Sequence, residues 1–211
     1  MAKVRKINSK PENGRNYYLV DANFLVNKHI PASLAPAGRH QDRVTACQAW
    51  WAQIDAQLKA GTARVYVPDI CIAEAFKVLA NKYYKEKWFT RYADFDAARK
   101  RLSVDVRTSA KALKAFNRQV RFHDLSTNRD IIVGVDRFFE VFLKHGKNVQ
   151  IADLILVATA KYLMEFFDIP KDQLHIVTLD TALREGIAKI VELPSAYDPT
   201  LRGQRAAVVF S

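Results

Sequence analysis

Three short apolar runs constrain this chain most: Tyr17–Val20 enters Asp21, 64–67 (RVYV) is closed by Pro68, and Leu174–Leu179 enters Asp180. Each has the length of a strand, and a strand that is apolar throughout needs cover on both faces of its sheet. Between these runs the apolar spacing becomes helical. Val44, Cys47, Trp51, Ile54 and Leu58 repeat in steps of three and four up to Gly61, which predicts one helix and its stop. Ile72, Ala75, Phe76, Leu79 and Tyr83 mark a second helix beyond Pro68. A third is expected over 130–144, ended by His145 and Gly146. A fourth is expected over about 151–167, with Ile151, Leu154, Ile155, Ala158, Tyr162 and Phe166 on one face. A short helix with Leu183 and Ile187, a strand near 190–193 and a late strand from the tail AAVVF complete the reading. This alternation predicts an α/β fold with a mostly parallel central sheet in a three-layer α/β/α arrangement, whose sites form beyond the carboxyl ends of the strands.

With 211 residues, 49% of them hydrophobic and 26% charged, the chain suits one domain over 1–211 with room for an insertion. No apolar run approaches the roughly 20 residues that cross a bilayer, and the basic amino terminus lacks a hydrophobic signal core, so a cytoplasmic protein without a membrane partner is expected. Cys47 and Cys71 are too few and too far apart for a disulfide framework or a zinc site, and both are expected as buried thiols. Lys and Arg outnumber acids 33 to 22, and the resulting +11 favours a polyanionic partner, although a basic surface can also serve solubility alone. Between Lys82 and Arg121 stand twelve Lys/Arg against four acids, interleaved with Tyr83, Tyr84, Trp88, Phe89, Tyr92, Phe95 and Phe116. This 82–121 stretch reads as a basic, aromatic-rich helical insertion, suited either to single-stranded nucleic acid or to helix packing. Adjacent Trp50 and Trp51 are not expected to share one core face, so one of them should meet the insertion or a second subunit.

The acids carry the chemistry. Asp21 and Asp180 end strands, while Glu74 and Asp153 lie in the opening turns of helices, where all four can face the same rim. A carboxylate buried without a partner shifts its pKa or finds a cation, and several converging carboxylates call for one. Mg2+ or Mn2+ fits, because hard cations take oxygen ligands from a few carboxylates, water and substrate phosphate. The five histidines form no HxH or HExxH pair, and neither a GxSxG elbow nor a GxxxxGK[ST] loop is present. Taken singly, each acid also suits a plainer role: Asp21 and Asp180 as helix amino-caps, Glu74 and Asp153 as first-turn acids favoured by the helix dipole. Asp136 and Glu140 read as an exposed helix face and His145 as a helix-end residue, outside the site.

In order, YYLVDANFLVN, VPDICIAEAFKVL, HGKNVQIADLILVATA and HIVTLD resemble the successive signatures of the PIN-domain ribonuclease family, which includes VapC-like toxins and stand-alone PIN proteins. The resemblance spans about Tyr17 to Glu192. It implies a metal-dependent endoribonuclease in which Asp21, Glu74, Asp153 and Asp180 form an acidic quartet around Mg2+ or Mn2+. Asp21 and Asp153 would be the direct ligands, Glu74 would help bind metal or orient water, and Asp180 would complete a weaker second site. Asn23 and Thr178 match pocket-lining positions, and Lys77 and Lys161 are candidate phosphate contacts. RNA, a cognate antitoxin and a homodimer partner are the implied partners. The stretch from Glu74 to Asp153 is longer than in minimal PIN toxins, which leaves a toxin and a housekeeping processing nuclease both open. A catalytically silent module binding RNA or protein, and a structure-specific DNA nuclease, are the alternative functions.

Overall fold

A computed structural model describes residues 14–107 and 122–210. Strand β1 (Asn16–Val20) is the centre of a five-stranded sheet. Its partners are β2 (Ala63–Pro68) and β4 (Leu174–Val177), with β3 (His123–Leu125) and β5 (Ala196–Tyr197) at the edges. The order is β3-β2-β1-β4-β5 and every pairing is parallel. Tyr18, Leu19 and Val20 are fully buried, as an apolar run in the middle of a parallel sheet must be. The expected three-layer, PIN-like α/β/α architecture is the one observed. Register sets the site: Val20 lies beside Val177, so the residues after β1 and β4 emerge together at the carboxyl rim.

Among the described residues the helices are α1 (Ala22–His29), α2 (Arg39–Ala60), α3 (Asp69–Tyr84), α4 (Tyr92–Val106), α5 (Arg129–Lys144), α6 (Ile151–Phe166), α7 (Thr181–Ile187) and α8 (Ala206–Val209). Helix α2 stops where expected, with Gly61 at φ 76 and its amide donating to the carbonyls of Gln57 and Leu58. Helix α5 ends at His145, and Gly146 follows at φ 63. No described helix is long and apolar enough to cross a membrane. Cys47 and Cys71 are free, buried thiols.

Four details of the sequence reading are corrected. Residues 190–193 form turns, with the amides of Ile190 and Leu193 donating three residues back, before Pro194; the edge strand comes later, at β5. The tail is helical in α8, because Ala206 is buried and Phe210 closes edge-on over Tyr18 and Trp50. Ile151 and Phe166 are exposed, since they stand at the two ends of α6, where the inward stripe has run past the sheet. Trp50 and Trp51 are both buried. Helix α2 is covered on two sides: Trp51 stacks on Phe24 at 4.7 Å and donates to its carbonyl, while Trp50 meets Tyr197 and Phe210 and donates to the Gln204 carbonyl.

The described residues of the 82–121 stretch are tied to the rest of the fold. Tyr83 of α3 stacks on Phe95 of α4 at 4.8 Å, and Phe89 and Tyr92 pack edge-on around them. Trp88 lies under the Lys82 ammonium at 3.3 Å. Asp105 of α4 pairs with Lys28 of α1 at 3.2 Å, and Lys28 also reaches Asp55 at 3.1 Å and the face of Trp51. Most of these aromatics therefore serve packing, leaving Tyr84 and Tyr92 as the exposed large rings. Phe116 and the rest of 108–121 lie outside the described residues.

Gly186 of α7 shows how closely the helices approach: a methyl group there would run into the ring of Phe142, which is itself buried on α5. Gly186→Ala is expected to destabilise the protein by about 1–3 kcal/mol, the usual cost of overpacking, read as a lower urea midpoint at unchanged m-value.

Candidate active site

Asp21 follows β1 directly and is 7% exposed. One carboxylate oxygen, Oδ1, accepts from the Phe24 amide at 2.7 Å and so caps α1. The other, Oδ2, accepts from the Thr178 hydroxyl at 2.5 Å and the Leu179 amide at 3.2 Å, across the β1–β4 pairing. Thr178 is fully buried, and its Oγ1 also accepts from the Asp180 amide at 2.9 Å. A single hydroxyl thus joins the first and last acids of the rim.

Asp153 is half-buried in the first turn of α6. It forms a reciprocal capping box with Gln150, whose amide donates to Oδ2 at 2.9 Å. Asp180 is exposed and caps α7 through Oδ1 and the Leu183 amide at 2.7 Å. Glu74 is half-buried on the second turn of α3, just past the end of β2. The plain capping roles are therefore all real for the aspartates. They do not exhaust these side chains, because Asp153 Oδ1 and Asp180 Oδ2 are left out of the caps.

The acids sit in one another's field. Burial raises the Asp21 carboxyl from 3.8 to about 6 against the pull of its three hydrogen bonds, and the Glu74 charge adds to the rise. Burial likewise raises Asp153 to about 6; the Gln150 amide opposes it, and Asp180, Asp21 and Glu74 all push it further up. Among the described residues none of the four forms an ion pair with a lysine, arginine or histidine, although the chain carries +11. Keeping Asp21 ionised without a cation costs the fold on the order of 3 kcal/mol above pH 6. The donor set, all hard oxygen and uncompensated, suits Mg2+ or Mn2+. As placed, no three carboxylate, imidazole or thiol groups among the described residues converge closely enough to hold an ion, because the caps draw the aspartates toward backbone amides.

The remaining candidates are placed as follows. Asn23 is exposed in the first turn of α1, two residues from Asp21. Lys77 is exposed, one turn beyond Glu74 on α3. Lys161 is half-buried and engaged with Glu165 at 2.6 Å, which turns it away from a phosphate role in this arrangement. Gln150 was missed by the sequence reading; its signal was the Gln-x-x-Asp spacing ahead of an apolar helix.

No family model matches the chain, and no curated protein matches it. Solved structures do. FitAcB from Neisseria gonorrhoeae superposes with a TM-score of 0.50 at 19% identity, over 86% of this chain and 97% of that one. FitAB bound to an IR36 DNA fragment gives 0.51 at 18% identity, over 87% and 96%. The chain shares their fold. VapBC2 from Rickettsia felis, bound to a DNA fragment from its promoter, reaches 0.45 at 12% identity, over 86% and 98%, and adds nothing to that assignment. These results correct the family reading of the sequence. Matches to FitAB structures below 20% identity, with no family model behind them, carry a fold and not membership of the PIN-domain ribonucleases. The four quoted segments fall in order on β1 and α1, on β2 and α3, on the start of α6, and on β4.

The raised carboxyls give a test of the metal-free protein. A carboxyl whose pKa is higher in the fold than in the unfolded chain contributes stability that is complete below the unfolded value and lost as pH rises through the folded one. Asp21 therefore favours the fold at pH below about 4 and opposes it above about 6. In chelator, the melting temperature of wild type minus that of Asp21→Asn is expected to rise as pH falls from 8 to 5. A difference that is flat with pH would show that Asp21 is not held protonated by burial.

Proposed function

We propose that this protein is a metal-dependent endoribonuclease whose acids are Asp21, Glu74, Asp153 and Asp180. The observation that carries the reading is the placement of the acids: Asp21 leaves β1 where β4 ends beside it, the Thr178 hydroxyl joins it to the Asp180 amide, and no described cation pairs with any of the four. Asp21 and Asp153 would be the direct ligands of Mg2+ or Mn2+, with Glu74 at the side and Asp180 on a weaker second position. When bound, such a cation supplies Lewis acidity to the scissile phosphate and lowers the pKa of water. The protein's own part is positional. Thr178 and the Leu179 amide fix Asp21, and the Gln150 amide fixes Asp153. Glu74, half-buried and held by no cap, is suited to orient the attacking water. Water oxygen forms a bond to phosphorus, the bond from phosphorus to the 3′ oxygen breaks, and the products are a 5′-phosphate and a 3′-hydroxyl.

A toxin–antitoxin role is proposed alongside this activity, because the structures that share the fold are of the FitAB complex, one of them on DNA. The partner would be a small antitoxin protein. One observation favours a second reading, a silent module that binds RNA or protein: the aspartates already have capping roles and do not converge as ligands.

Purified wild type is expected to cut labelled RNA, in preference to matching DNA, with Mn2+ or Mg2+ and not with chelator. Asp21→Asn is expected to lose at least about a hundredfold in rate while still binding the RNA. Binding without cutting under every metal would support the silent module. Growth arrest on expression, relieved by Asp21→Asn, is the expected sign of the toxin role.

Thr178→Val keeps the shape but removes the hydroxyl that donates to Asp21 and accepts from the Asp180 amide. A loss of roughly 10–100-fold in metal affinity or rate is expected, typical of a lost supporting hydrogen bond, with the fold intact by circular dichroism.

A further inference from the structure

We propose that the cleft between the first turns of α2 and the segment after β5 binds a phosphate of single-stranded nucleic acid through Arg39, Arg43 and Arg205. The cleft measures about 690 Å³ and is lined by these three arginines together with Asp42 and Thr200. Arg39 and Arg43 stand one helical turn apart and so share a face of α2, and Arg205 approaches from the residue before α8. Among the described residues, no carboxylate or carbonyl engages any of the three guanidinium groups, and Asp42 is the one acid in the lining. Three cations against one carboxylate in a concave surface are an unbalanced charge that a polyanion would neutralise. Arginine is suited to this, since its planar fork meets phosphate oxygens two at a time. The cleft lies along the first turns of α2, whose start at Gly38 has no side-chain cap.

The position relates this cleft to the acids. The Thr178 amide donates to the Tyr197 carbonyl at 3.0 Å, so the end of β5 lies beside the residue that fixes Asp21. Asp198 follows and turns the chain into the lining by accepting from the Thr200 amide and hydroxyl at 2.9 and 2.7 Å. Cys47, one turn beyond Arg43, feels the charges of both Asp21 and Asp198. Acids and arginines therefore occupy neighbouring stations of one strand-end rim. A strand whose scissile phosphate lay at the acids would have an adjacent phosphate within reach of the arginines, where the charge is attractive. This deepens the reading of the site as a nuclease and rests on it for the identity of the ligand.

The test is binding of a labelled single-stranded RNA by fluorescence anisotropy, in chelator so that nothing is cut, over a series of salt concentrations. The triple variant Arg39→Ala/Arg43→Ala/Arg205→Ala is compared with wild type and with a charge control, Lys59→Ala/Lys144→Ala/Lys189→Ala. Single strands lose about 0.7 in the slope of log K against log salt for each neutralised phosphate, so the arginine triple, which gives up one phosphate, is expected to flatten the slope by about 0.7 and to bind at least about tenfold more weakly. The charge control should keep the wild-type slope, and all three proteins should melt at closely similar temperatures. An unchanged slope in the arginine triple, or an equal loss in the control, overturns the proposal. Loss of binding in the arginine triple from a wild type that never cuts RNA would uphold the cleft and remove the nuclease. Cutting by wild type with an unaffected arginine triple would do the reverse.

Discussion

Parallel pairing of β1 with β4 places one buried carboxylate where two strands end, and the arrangement of the rim depends on that contact. Asp21 accepts three hydrogen bonds, one from its own helix and two from the segment beyond β4. These bonds lock the register at the point where side chains leave the sheet. They do not repay the desolvation of the charge, because its pKa remains raised. The protein thus holds an acid in a place that favours its neutral form, and the charge of Glu74 worsens the conflict. Such an arrangement is poor as a stability device.

The opposing charge is kept close, in a different place. The guanidinium groups of Arg39, Arg43 and Arg205 line a cleft along the rim, yet none pairs with the four acids. Lys28, which is nearly buried, is spent on Asp55 and Asp105, where it fastens α4 to α1 and α2. Lys82 is held over Trp88, and burial lowers its pKa to about 8. Positive groups inside the body therefore join helices, while the acids at the rim remain uncompensated. This separation is what the proposed function would require.

The central strands and long helices were legible because their apolar periods are strong: YYLV, RVYV and LHIV are all strands, and Gly61 and Gly146 end helices as their freedom at positive φ allows. Edges were not legible. His123–Leu125 is a three-residue strand made by pairing with β2, and nothing in its own composition announces it. Residues 190–193 look like a strand locally and become turns because α7 ends just before them and Pro194 follows. The four acids could be picked out by their places at strand ends and helix starts. Their caps could not be assigned until the amides of Phe24, Gln150 and Leu183 had positions. The arginine cleft was invisible for a different reason: Arg43 and Arg205 are distant in sequence and meet only because the tail folds back over α2.

Trp50 and Trp51 extend that last point. Neighbours in sequence, they look out from opposite flanks of α2, one toward the closing segment at 204–210 and the other toward Phe24, three residues from Asp21. Their indoles are anchored to different carbonyls, so they are two reporters with separate surroundings on one rigid rod. Emission from Trp51 should register events at the acids, and emission from Trp50 should register release of the tail. With each replaced in turn by phenylalanine, the two ends of the rim become spectroscopically distinguishable within a single chain.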